Sequence, residues 1–464
     1  MKAVKKVINL KRSGAALIIS MIFVIIFSAL AVAMASLSSK NVQLSSNEHK
    51  SNSALSTAQS GLEILRYYLS KITVSGMVAP EDRLQTVATE LQNQFYASGS
   101  TYMYAYYDSS NSTLSIPYVM LDSRLSKNFN AVLNQLDSNT VQLDLTGNCG
   151  QLSRVIRVIF NYESKGFDVF DYGVATKGPL SMEGDSEFDG TNVAIESSVY
   201  IEGDVSIGDA FSITNRASVA GDITIANPYA TYTVGSLASV GGAVGEEAEE
   251  HVFVGNDYVD FPTPDPTHFQ QYATGMVIDE NSDWNNQSTL NNVTIKAGTN
   301  PTFSGNVTIN GVLFIETPNV VNFSGQSTVN GVIVGDGQLG DDTSNSNITF
   351  AGQVVCNDAS GLTGAEFDGI RQETGTFIMA PGFSLDFSGE TNTINGVIAG
   401  SGISFSGQAG GTINGSIINY SDEPMTLNGE STLMFNRTGA GTASGFVPNK
   451  TLEYQSASYS EMIY

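Results

Sequence analysis

The sequence predicts a membrane-anchored helix, then a small α+β domain, then a long all-β region. Three observations predict this order: an uncharged apolar run from Ala15 to Ala35, a mixed stretch over residues 73–165, and glycine-marked repeats from Phe167 onward. With 464 residues, the chain is long enough for about three domains. Its 46 glycines and its low charged fraction of 14% suit a β-rich body with many tight turns.

Acidic residues outnumber basic ones, and the two kinds are unevenly distributed along the chain. There are 21 Lys and Arg against 46 Asp and Glu, a formal charge of −25, which excludes a nucleic-acid binder because phosphate binding needs clustered bases. Residues 1–14 hold five bases and no acid, whereas the chain from Phe167 onward holds 36 acids and 6 bases. Two cysteines and three histidines offer neither a disulfide framework nor zinc spacing, so no metal or cofactor site is predicted.

The apolar run from Ala15 to Ala35 has the length of a membrane span. A helix of its 21 residues measures about 30 Å, the thickness of the bilayer hydrocarbon. The basic flank should stay cytoplasmic, so the acidic remainder is expected to be exported from a single-pass anchor. The alternative is a cleaved signal peptide, but its apolar core is normally about 7–15 residues, and here the helical pattern continues beyond the run.

The segment before the run, Lys11–Ala15, reads Lys-Arg-Ser-Gly-Ala and resembles the leader of the type IV pilin and pseudopilin superfamily. The resemblance implies that a prepilin peptidase cuts between Gly14 and Ala15, removes residues 1–14 and leaves the helix in the inner membrane. Major pilins commonly have Glu at the fifth mature position, where it pairs with the N-terminal amine of a neighbouring subunit. Ile19 occupies that position here. PilX-type minor pilins and tip pseudopilins often lack this Glu too.

Residues 15–72 are predicted to form one extended pilin-like helix. Beyond the membrane, Ala54, Ala58, Leu62 and Leu65 recur at helical spacing and form one stripe. The segment 54–63 also resembles PilX-type N-terminal domains, so the resemblance covers about residues 8–72.

Residues 73–165 are predicted to be a small α+β domain. The patterns indicate helices over Glu81–Phe95 and Ser123–Leu136, and strands over Thr101–Tyr107, Val141–Leu145 and Arg154–Tyr162. The tyrosines near residue 104 are interpreted as core and cross-strand pairs rather than as a ligand platform.

Residues 166–445 repeat at about 20 residues, which is typical of a solenoid. Two kinds of unit recur: the first has Gly184, Gly203, Gly221 and Gly242 in related contexts, and the second joins Phe-Ser-Gly to Ile/Val-Asn-Gly at 303–313, 323–333, 387–398 and 405–417. Alternating apolar residues would point inward and glycines would turn the corners, which predicts a right-handed β-helix. A β-sandwich or propeller is the alternative, although propeller blades repeat at about 40–50 residues. The first repeats also resemble those of the polymerising bactofilins.

Two segments interrupt or follow the repeats. Residues 246–292 form an insertion with the acidic run 246–250, the proline-rich segment 261–266 and the lone Trp284. It is interpreted either as a strap over the repeats or as a binding loop. Residues 446–464 are predicted to be a C-terminal tail.

The sequence predicts a structural protein rather than an enzyme. No nucleophile elbow, phosphate loop or histidine pair appears, and chance pairs of carboxylates such as Asp341-Asp342 are expected in so acidic a chain. The acidic loop 335–342 leaves room for calcium, although a solvated turn explains it equally.

The predicted function is that of a minor or tip subunit of a type IV pilus or type II secretion pseudopilus. Its exported acidic domain would serve assembly or cell adhesion. Its expected partners are other pilin or pseudopilin subunits, the prepilin peptidase and the inner membrane, with no nucleic acid. Two alternatives remain: a membrane-anchored polysaccharide-binding or polysaccharide-degrading β-helix protein, and an envelope protein that never enters a fibre.

Overall fold

The computed structural model of the chain describes residues 13–99, 102–165, 167–203, 209–282, 288–437 and 443–462. These residues form two compact units. The first unit comprises the chain up to Val74, then 79–163 and the C-terminal residues from Thr451, and the second comprises 75–78 and 164–450. A long apolar N-terminal helix is thus followed by a mostly β region with parallel sheets, as the sequence predicts.

The first unit combines two helices with one sheet. Its elements are α1 Ser13–Leu69, β1 Thr73–Val74, the 3₁₀ helix Pro80–Asp82, α2 Arg83–Ala97, β2 Tyr106–Asp108, β3 Thr113–Asp122, β4 Lys127–Gln135, β5 Thr140–Cys149 and β6 Leu152–Ser164. A strand at the C-terminus, Lys450–Met462, lies between β1 and β6, and the order continues through β5, β4, β3 and β2. The segment 446–464, predicted as a tail, therefore contains an interior strand of this sheet.

The second half of α1 packs on β4 and β5, as its stripe of small and apolar residues predicts. Ala54, Ala58, Leu62 and Leu65 are all buried. Gly147 lies at the contact, where an added Cβ atom would come within 2.4 Å of the Ala54 carbonyl oxygen and 2.3 Å of the Ala58 nitrogen. Only glycine therefore allows the helix to approach this strand so closely.

The prediction of a helix over Ser123–Leu136 is wrong, because the strand β4 occupies most of it. Phe129, Ala131 and Leu133 alternate with polar residues and are all buried, which is the period of a strand with one buried face.

The other elements predicted for 73–165 fit more closely. Helix α2 overlaps the helix expected at Glu81–Phe95, and β5 and β6 contain the two predicted later strands. Of the strand expected at Thr101–Tyr107, Thr101 lies outside the described residues, and within 102–107 only Tyr106 and Tyr107 belong to a strand, β2.

The second unit begins with short strands and short 3₁₀ helices. In chain order these are Asp168–Asp171 (3₁₀), β7 Val174–Thr176, β8 Leu180–Met182, β9 Glu187–Gly190, Ala194–Ser197 (3₁₀), β10 Val199–Ile201, β11 Asp209–Ile213, β12 Ser218–Val219, β13 Ile223–Ile225, β14 Thr231–Val234, β15 Ser239–Val240, β16 Ala243–Val244, Gly245–His251 (3₁₀) and β17 Val252–Val254.

A connecting segment and a second series of strands follow. They are β18 Thr263–Pro264, α3 Pro266–Gln270, β19 Val277–Ile278, β20 Thr289–Ile295, β21 Thr302–Phe303, β22 Val307–Ile315, β23 Val320–Phe323, β24 Ser327–Gly335, Thr343–Asn345 (3₁₀), β25 Asn347–Phe350, β26 Val354–Asn357, the 3₁₀ helices Ala359–Gly361, Ala365–Phe367 and Ile370–Gln372, β27 Thr376–Ala380, β28 Ser384–Phe387, β29 Thr393–Asn395, β30 Val397–Gly400, β31 Ile403–Phe405, β32 Gly411–Asn414, β33 Ile417–Asn419, β34 Met425–Leu427, β35 Thr432–Phe435 and β36 Phe446–Val447.

Apart from β18 and β36, which pair with each other, these strands form three sheets. Sheet I has the order β17, β13, β10, β7, β33, β30, β27, β24, β22, β20, β19, with β26 also paired to β24. Sheet II has the order β14, β11, β8, β34, β31, β28, β25, β23, β21, and sheet III the order β16, β15, β12, β9, β35, β32, β29. Their strand pairs are parallel, for example β22 with β24, except that β15 and β16 are antiparallel.

From β7 to β15 and again from β27 to β35 the chain visits the three sheets in rotation, whereas β20 to β26 alternate between sheets I and II. We name one such passage a rung. Strands β7, β8 and β9 form the first rung, and β10 to β12 and β13 to β15 form the next two. Parallel neighbours need a connection of a dozen or more residues, which the other two sheets supply. The last rung, β33 to β35, pairs with β7 to β9, so the end of the repeat region stacks on its beginning.

The segment 255–276, which we name the strap, connects β17 at one end of sheet I to β19 at the other end. The ten intervals between eleven strands, at about 4.8 Å each, add up to about 48 Å. The residues of the strap, if fully extended, can span about 70 Å. Strand β18 in the strap pairs with β36, and the Asp265 side chain caps α3 by accepting hydrogen bonds from the Thr267 and His268 nitrogens. Part of the insertion thus has the course of a strap, which is one of the two interpretations of this segment.

Two apolar clusters hold the second unit together. The inner core lies between the three sheets and includes Ile223, Phe350 and Ile333. The outer cluster covers the opposite face of sheet I and includes Val332 together with Phe269 of the strap. Because both faces of sheet I are buried, its strands are almost continuously apolar, as in Val312–Ile315.

Candidate functional site: anchor helix and asparagine groove

The first candidate site is the N-terminal part of α1. The helix begins at Ser13, so the predicted processing pair, Gly14 and Ala15, lies in its first turn, whereas residues 1–12 lie outside the described part of the chain. From Leu17 to Leu44 the large apolar side chains are exposed, including Ile19 at 53%. The helix is long and apolar enough to cross a membrane.

The carboxylates of the acidic loop 335–342 accept hydrogen bonds from nearby backbone nitrogens, Asp336 from that of Thr317 at 2.6 Å. Asp341 accepts a hydrogen bond from the Gln338 nitrogen at 2.7 Å, and Asp342 accepts one from the Ser344 nitrogen at 2.9 Å. Hydrogen bonds from the backbone and side chain of Ser344 lower the pKa of Asp342. Among the residues that the structure describes, no three His, Cys, Asp or Glu side chains converge as a metal site would need.

Two rows of asparagines run along the repeat region. In the first row, Asn310 donates to Asn291 at 2.9 Å, Asn330 donates to Asn310 at 2.8 Å, and Asn357 donates to Asn330 at 2.8 Å. Each bond joins the Nδ2 atom of one side chain to the Oδ1 atom of its neighbour. The Asn-Gly step that recurs in the sequence is therefore a ladder of amides at adjacent strands.

The second row joins strands of sheet III. Asn414 donates to Asn395 at 2.6 Å, and Asn395 donates to the Cys356 carbonyl oxygen at 2.9 Å. Asn436 follows β35, at the position that continues the pairing of β32 with β35. Its Oδ1 atom accepts a hydrogen bond from Asn192 at 3.3 Å.

A groove of about 570 Å³ lies beside the second row. The polar side chains that line it include Asn395, Asn414, Asn436, Asp171, Asp358 and Arg437, and Phe170 and Val397 add apolar surface. The groove thus combines amides, carboxylates and one guanidinium group. The repeated Asn-Gly signal was visible in the sequence, but Asp171, Asp358 and Arg437 lie far apart along the chain and outside the repeated motif.

A buried carboxylate stands behind the groove wall. Glu196 is 5% exposed and accepts hydrogen bonds from the backbone nitrogens of Asn192 at 2.8 Å and Arg437 at 3.2 Å. Burial opposes ionisation, but these hydrogen bonds, with others from the Asn192 side chain and the Val193 nitrogen, outweigh it and lower the pKa of Glu196 to about 2. Glu196 therefore stays ionised and fixes the backbone at Arg437.

The Arg437 side chain lines the groove in a constrained position. Its Nη2 atom lies 3.7 Å from a carboxylate oxygen of Asp171. Burial lowers the pKa of Arg437, while the neighbouring Asp171 and Glu196 raise it. The Nε atom is buried and has no hydrogen-bond partner among the described residues.

A second polar group joins the strap to Glu373, which lies outside it. Glu373 accepts a hydrogen bond from the Tyr272 hydroxyl at 2.9 Å, and its other oxygen lies 2.9 Å from His268 Nε2. These contacts hold the strap against the end of the 3₁₀ helix Ile370–Gln372, a structural role. Trp284, also in the predicted insertion, lies outside the described residues.

Comparison with known proteins identifies the N-terminal region. The family model described as PilX N-terminal matches residues 13–63, which coincide with most of α1. The N-terminal region is therefore type IV pilin-like, and its apolar helix is consistent with a single-pass membrane anchor. No curated protein matches the sequence significantly.

Three solved structures share a distant likeness with the chain. The competence-associated pilin ComZ from Thermus thermophilus has 12% identity and a TM-score of 0.25, with 76% of this chain and 88% of that chain covered. An ice-binding protein from an Arctic yeast has 11% identity and a TM-score of 0.18, with coverage of 58% and 93%. An ice-binding protein from the Antarctic ascomycete Antarctomyces psychrotrophicus has 13% identity and a TM-score of 0.18, with coverage of 58% and 98%.

Proposed function

We propose that the chain is a minor or tip pilin-like subunit of a type IV pilus or type II secretion pseudopilus. The observation that carries the proposal is the match of residues 13–63 to the PilX N-terminal model on a helix whose first part exposes its apolar side chains. Ile19 supports a minor or tip position, because its apolar side chain cannot form the ion pair that major pilins make at this position. The partners would be other pilin or pseudopilin subunits.

The exported part would be a right-handed β-helix. The rotation of the chain through three parallel sheets supports this assignment, and parallel crossovers are right-handed in nearly all known sheets. The acidic surface of this domain would be presented outside the membrane for assembly or adhesion. The five basic residues of the segment 1–14 support this orientation, since basic flanks stay cytoplasmic.

The domain would act by binding rather than by catalysis. Hydrolysis of a glycoside requires two carboxylates at a fixed separation on either side of the bond. In the groove, Asp171 faces the Arg437 guanidinium, and Asp358 accepts hydrogen bonds from Ser360. These engagements support a positioning role for both carboxylates.

Processing by a prepilin peptidase between Gly14 and Ala15 is the step that tests the proposal. The intact mass of the membrane-extracted protein should correspond to a chain that starts at Ala15. Gly14→Leu should retain residues 1–14, because a bulky side chain blocks the peptidase site, whereas the matched control Ser13→Ala should be cut normally. A mature chain that starts near residue 36 would indicate ordinary signal-peptide cleavage and would overturn the assignment.

A further inference from the structure

We infer that Asn428 is a site of spontaneous deamidation, a covalent modification that the fold permits at this asparagine and suppresses at the other Asn-Gly steps of the chain. The sequence contains five such steps, at Asn310, Asn330, Asn395, Asn414 and Asn428. The reaction joins the asparagine side chain to the next backbone nitrogen, and a following glycine leaves that nitrogen unhindered because it has no Cβ atom. The inference does not depend on whether the chain enters a fibre, because all five steps lie in the second unit.

The chemistry needs only the chain itself and water. The Gly429 backbone nitrogen attacks the Asn428 Cγ atom, a new C–N bond forms, and the side-chain amide leaves as ammonia with the proton of the Gly429 nitrogen. One water molecule then opens the resulting cyclic imide at either of its two carbonyl carbons. One opening gives aspartate, and the other gives isoaspartate, in which the main chain runs through the former side chain.

Four of the five steps are held within sheets. Asn310 and Asn330 lie inside β22 and β24, and Asn395 and Asn414 are the last residues of β29 and β32. In each case the glycine that follows is buried. Each of the four side-chain amides also donates a hydrogen bond within the two asparagine rows. The reacting groups are therefore fixed in place and shielded from water.

Asn395 shows most fully how the sheet blocks the reaction. Its amide donates to the Cys356 carbonyl oxygen at 2.9 Å, and its Oδ1 atom accepts a hydrogen bond from Asn414 at 2.6 Å. The Gly396 nitrogen, which would have to attack, donates to the Asn414 carbonyl oxygen at 3.0 Å. Because these hydrogen bonds must break before the two groups can meet, the reaction should be slowed about tenfold or more.

The fifth step lies in a different environment. Asn428 and Gly429 are both exposed, in the loop between β34 and β35. The Asn428 nitrogen donates to the Phe405 carbonyl oxygen at 2.9 Å, and the Gly429 carbonyl oxygen accepts a hydrogen bond from the Asp185 nitrogen at 2.8 Å. Neither of these held atoms takes part in the reaction. The attacking nitrogen and the side-chain amide thus lie outside any strand and are open to water.

Deamidation at this place would act on the junction between the last rung and the first. Asp185 lies between β8 and β9 of the first rung, and its hydrogen bond to Gly429 is part of that junction. An isoaspartate adds one atom to the main chain directly before Gly429, so it displaces the carbonyl oxygen that Asp185 contacts. It also adds a negative charge close to Glu430. The modification should therefore weaken the junction as the protein ages.

The test is a time course on the full chain in detergent micelles at mildly alkaline pH. A protease that cleaves before Asp releases Asn428 in residues 422–464, Asn395 and Asn414 in residues 386–421, and Asn310 and Asn330 in residues 283–335. Mass spectrometry with fragmentation then locates each amide that has become an acid. We expect Asn428 to convert at least about tenfold faster than each of the other four.

Two controls separate the fold from the local sequence. In chemical denaturant all five steps should convert at similar rates, because the sheets no longer protect four of them. In the folded chain Asn428→Gln should remove the reaction at this position, because a glutamine would have to close a larger ring.

Thermal melts then measure the effect on the junction. The melting temperature of the unsubstituted chain should fall on ageing, whereas that of Asn428→Gln should stay constant. Asn428→Asp adds the charge without the extra main-chain atom and should melt above the aged chain.

Three outcomes would overturn the inference. The first is conversion of Asn428 no faster than that of the other four asparagines in the folded chain. The second is the same order of rates in denaturant, which would assign the difference to local sequence. The third is a constant melting temperature after Asn428 has converted, which would contradict the effect on the junction. None of these outcomes bears on cleavage at Gly14, so failure here and failure of the pilin assignment remain distinguishable.

Discussion

The N-terminal rungs, residues 174–254, and the C-terminal rungs, residues 289–435, build the same three sheets with different side chains. In the C-terminal rungs, the row Phe303, Phe323, Phe350, Phe387 and Phe405 forms a continuous stack with centroid distances of 4.7–5.0 Å. In the N-terminal rungs the same row of sheet II is aliphatic, with Met182 opposite Ile213. Among the residues described there, one aromatic pair is stacked, Phe211 with Tyr232.

This difference shows that one backbone arrangement accepts two kinds of core. The rows change from aromatic to aliphatic where Phe405 pairs with Leu427 and Leu427 pairs with Met182. That place is also the junction between the last rung and the first. Within the repeats, identical residues stand in register and can stack on one another. At the junction, the paired residues are distant in sequence and belong to no common motif, so no such stack continues.

The largest expected effect is common to both sets of rungs. Ile333→Asp and Ile223→Asp each place a charge in the fully buried inner core without a partner. Each should lower the free energy of unfolding of the full chain by about 3–5 kcal/mol. Chemical denaturation followed by circular dichroism measures this. A loss confined to one set of rungs would show that the two do not share one cooperative core.

The aromatic stack should separate the two sets of rungs. Phe350 has two stacked neighbours and Phe211 has one. Each aromatic pair contributes about 0.5–1.5 kcal/mol beyond the burial of its surface. Phe350→Leu should therefore lower the free energy of unfolding by about 1–3 kcal/mol more than the loss of buried area predicts, and Phe211→Leu by about half as much. Equal losses in denaturation experiments would mean that stacking adds nothing to burial in this stack.

The junction should be sensitive to acid. The Glu196 carboxylate accepts a hydrogen bond from the Arg437 backbone nitrogen and so joins the two sets of rungs. Folding lowers the pKa of Glu196 from 4.5 to about 2. As the pH falls from 4.5 towards 2, the unfolded chain therefore binds a proton at Glu196 before the folded chain does, and the free energy of unfolding decreases. Glu196→Gln should cost about 1.5 kcal/mol at neutral pH and should flatten the pH dependence between these values.

The control for that pH measurement is an acid outside the junction. Asp342→Asn removes a carboxylate whose pKa is lowered by its own loop at the surface, so it should leave most of the acid-dependent loss in place. A pH profile unchanged by Glu196→Gln would contradict the role assigned to Glu196.

The smallest effect is expected at the acidic run after the N-terminal rungs. Glu249 is exposed in the 3₁₀ helix Gly245–His251, and it has no ion pair among the described residues. Glu249→Ala should therefore change the free energy of unfolding by less than about 0.5 kcal/mol. A larger loss in the same denaturation assay would show that the acidic run packs on a partner group.

Much of the chain could be predicted from local patterns. The apolar run, the stripe Ala54–Leu65 and the spacing of the glycines are signals within a few residues, and helices and strands follow such periods directly. The error at β4 has the same origin, because Phe129, Ala131 and Leu133 have a strand period that the helix prediction overlooked. The alternating apolar residues of the repeats are predicted to point inward, yet Val332 lies in the outer cluster, because both faces of sheet I are covered.

The candidate groove could be predicted only in part. The Asn-Gly steps are visible in the sequence and indicate corners, but their amides become a ladder only when the strands stand in register. Asp171, Asp358 and Arg437 come from three separate places in the chain and meet through the stacking of the last rung on the first. No local pattern contains that distance information.

By itself, the sequence determined the apolar anchor helix, the β-strand periods and the presence of repeats, because each depends on the spacing of neighbouring residues. Tertiary structure decided the order of the rungs, the route of the strap and the placement of the C-terminal strand between β1 and β6. The physical reason is that similar rungs offer similar edges for pairing. Which rung stacks on which is therefore settled by the buried core and the length of the strap, not by any single repeat.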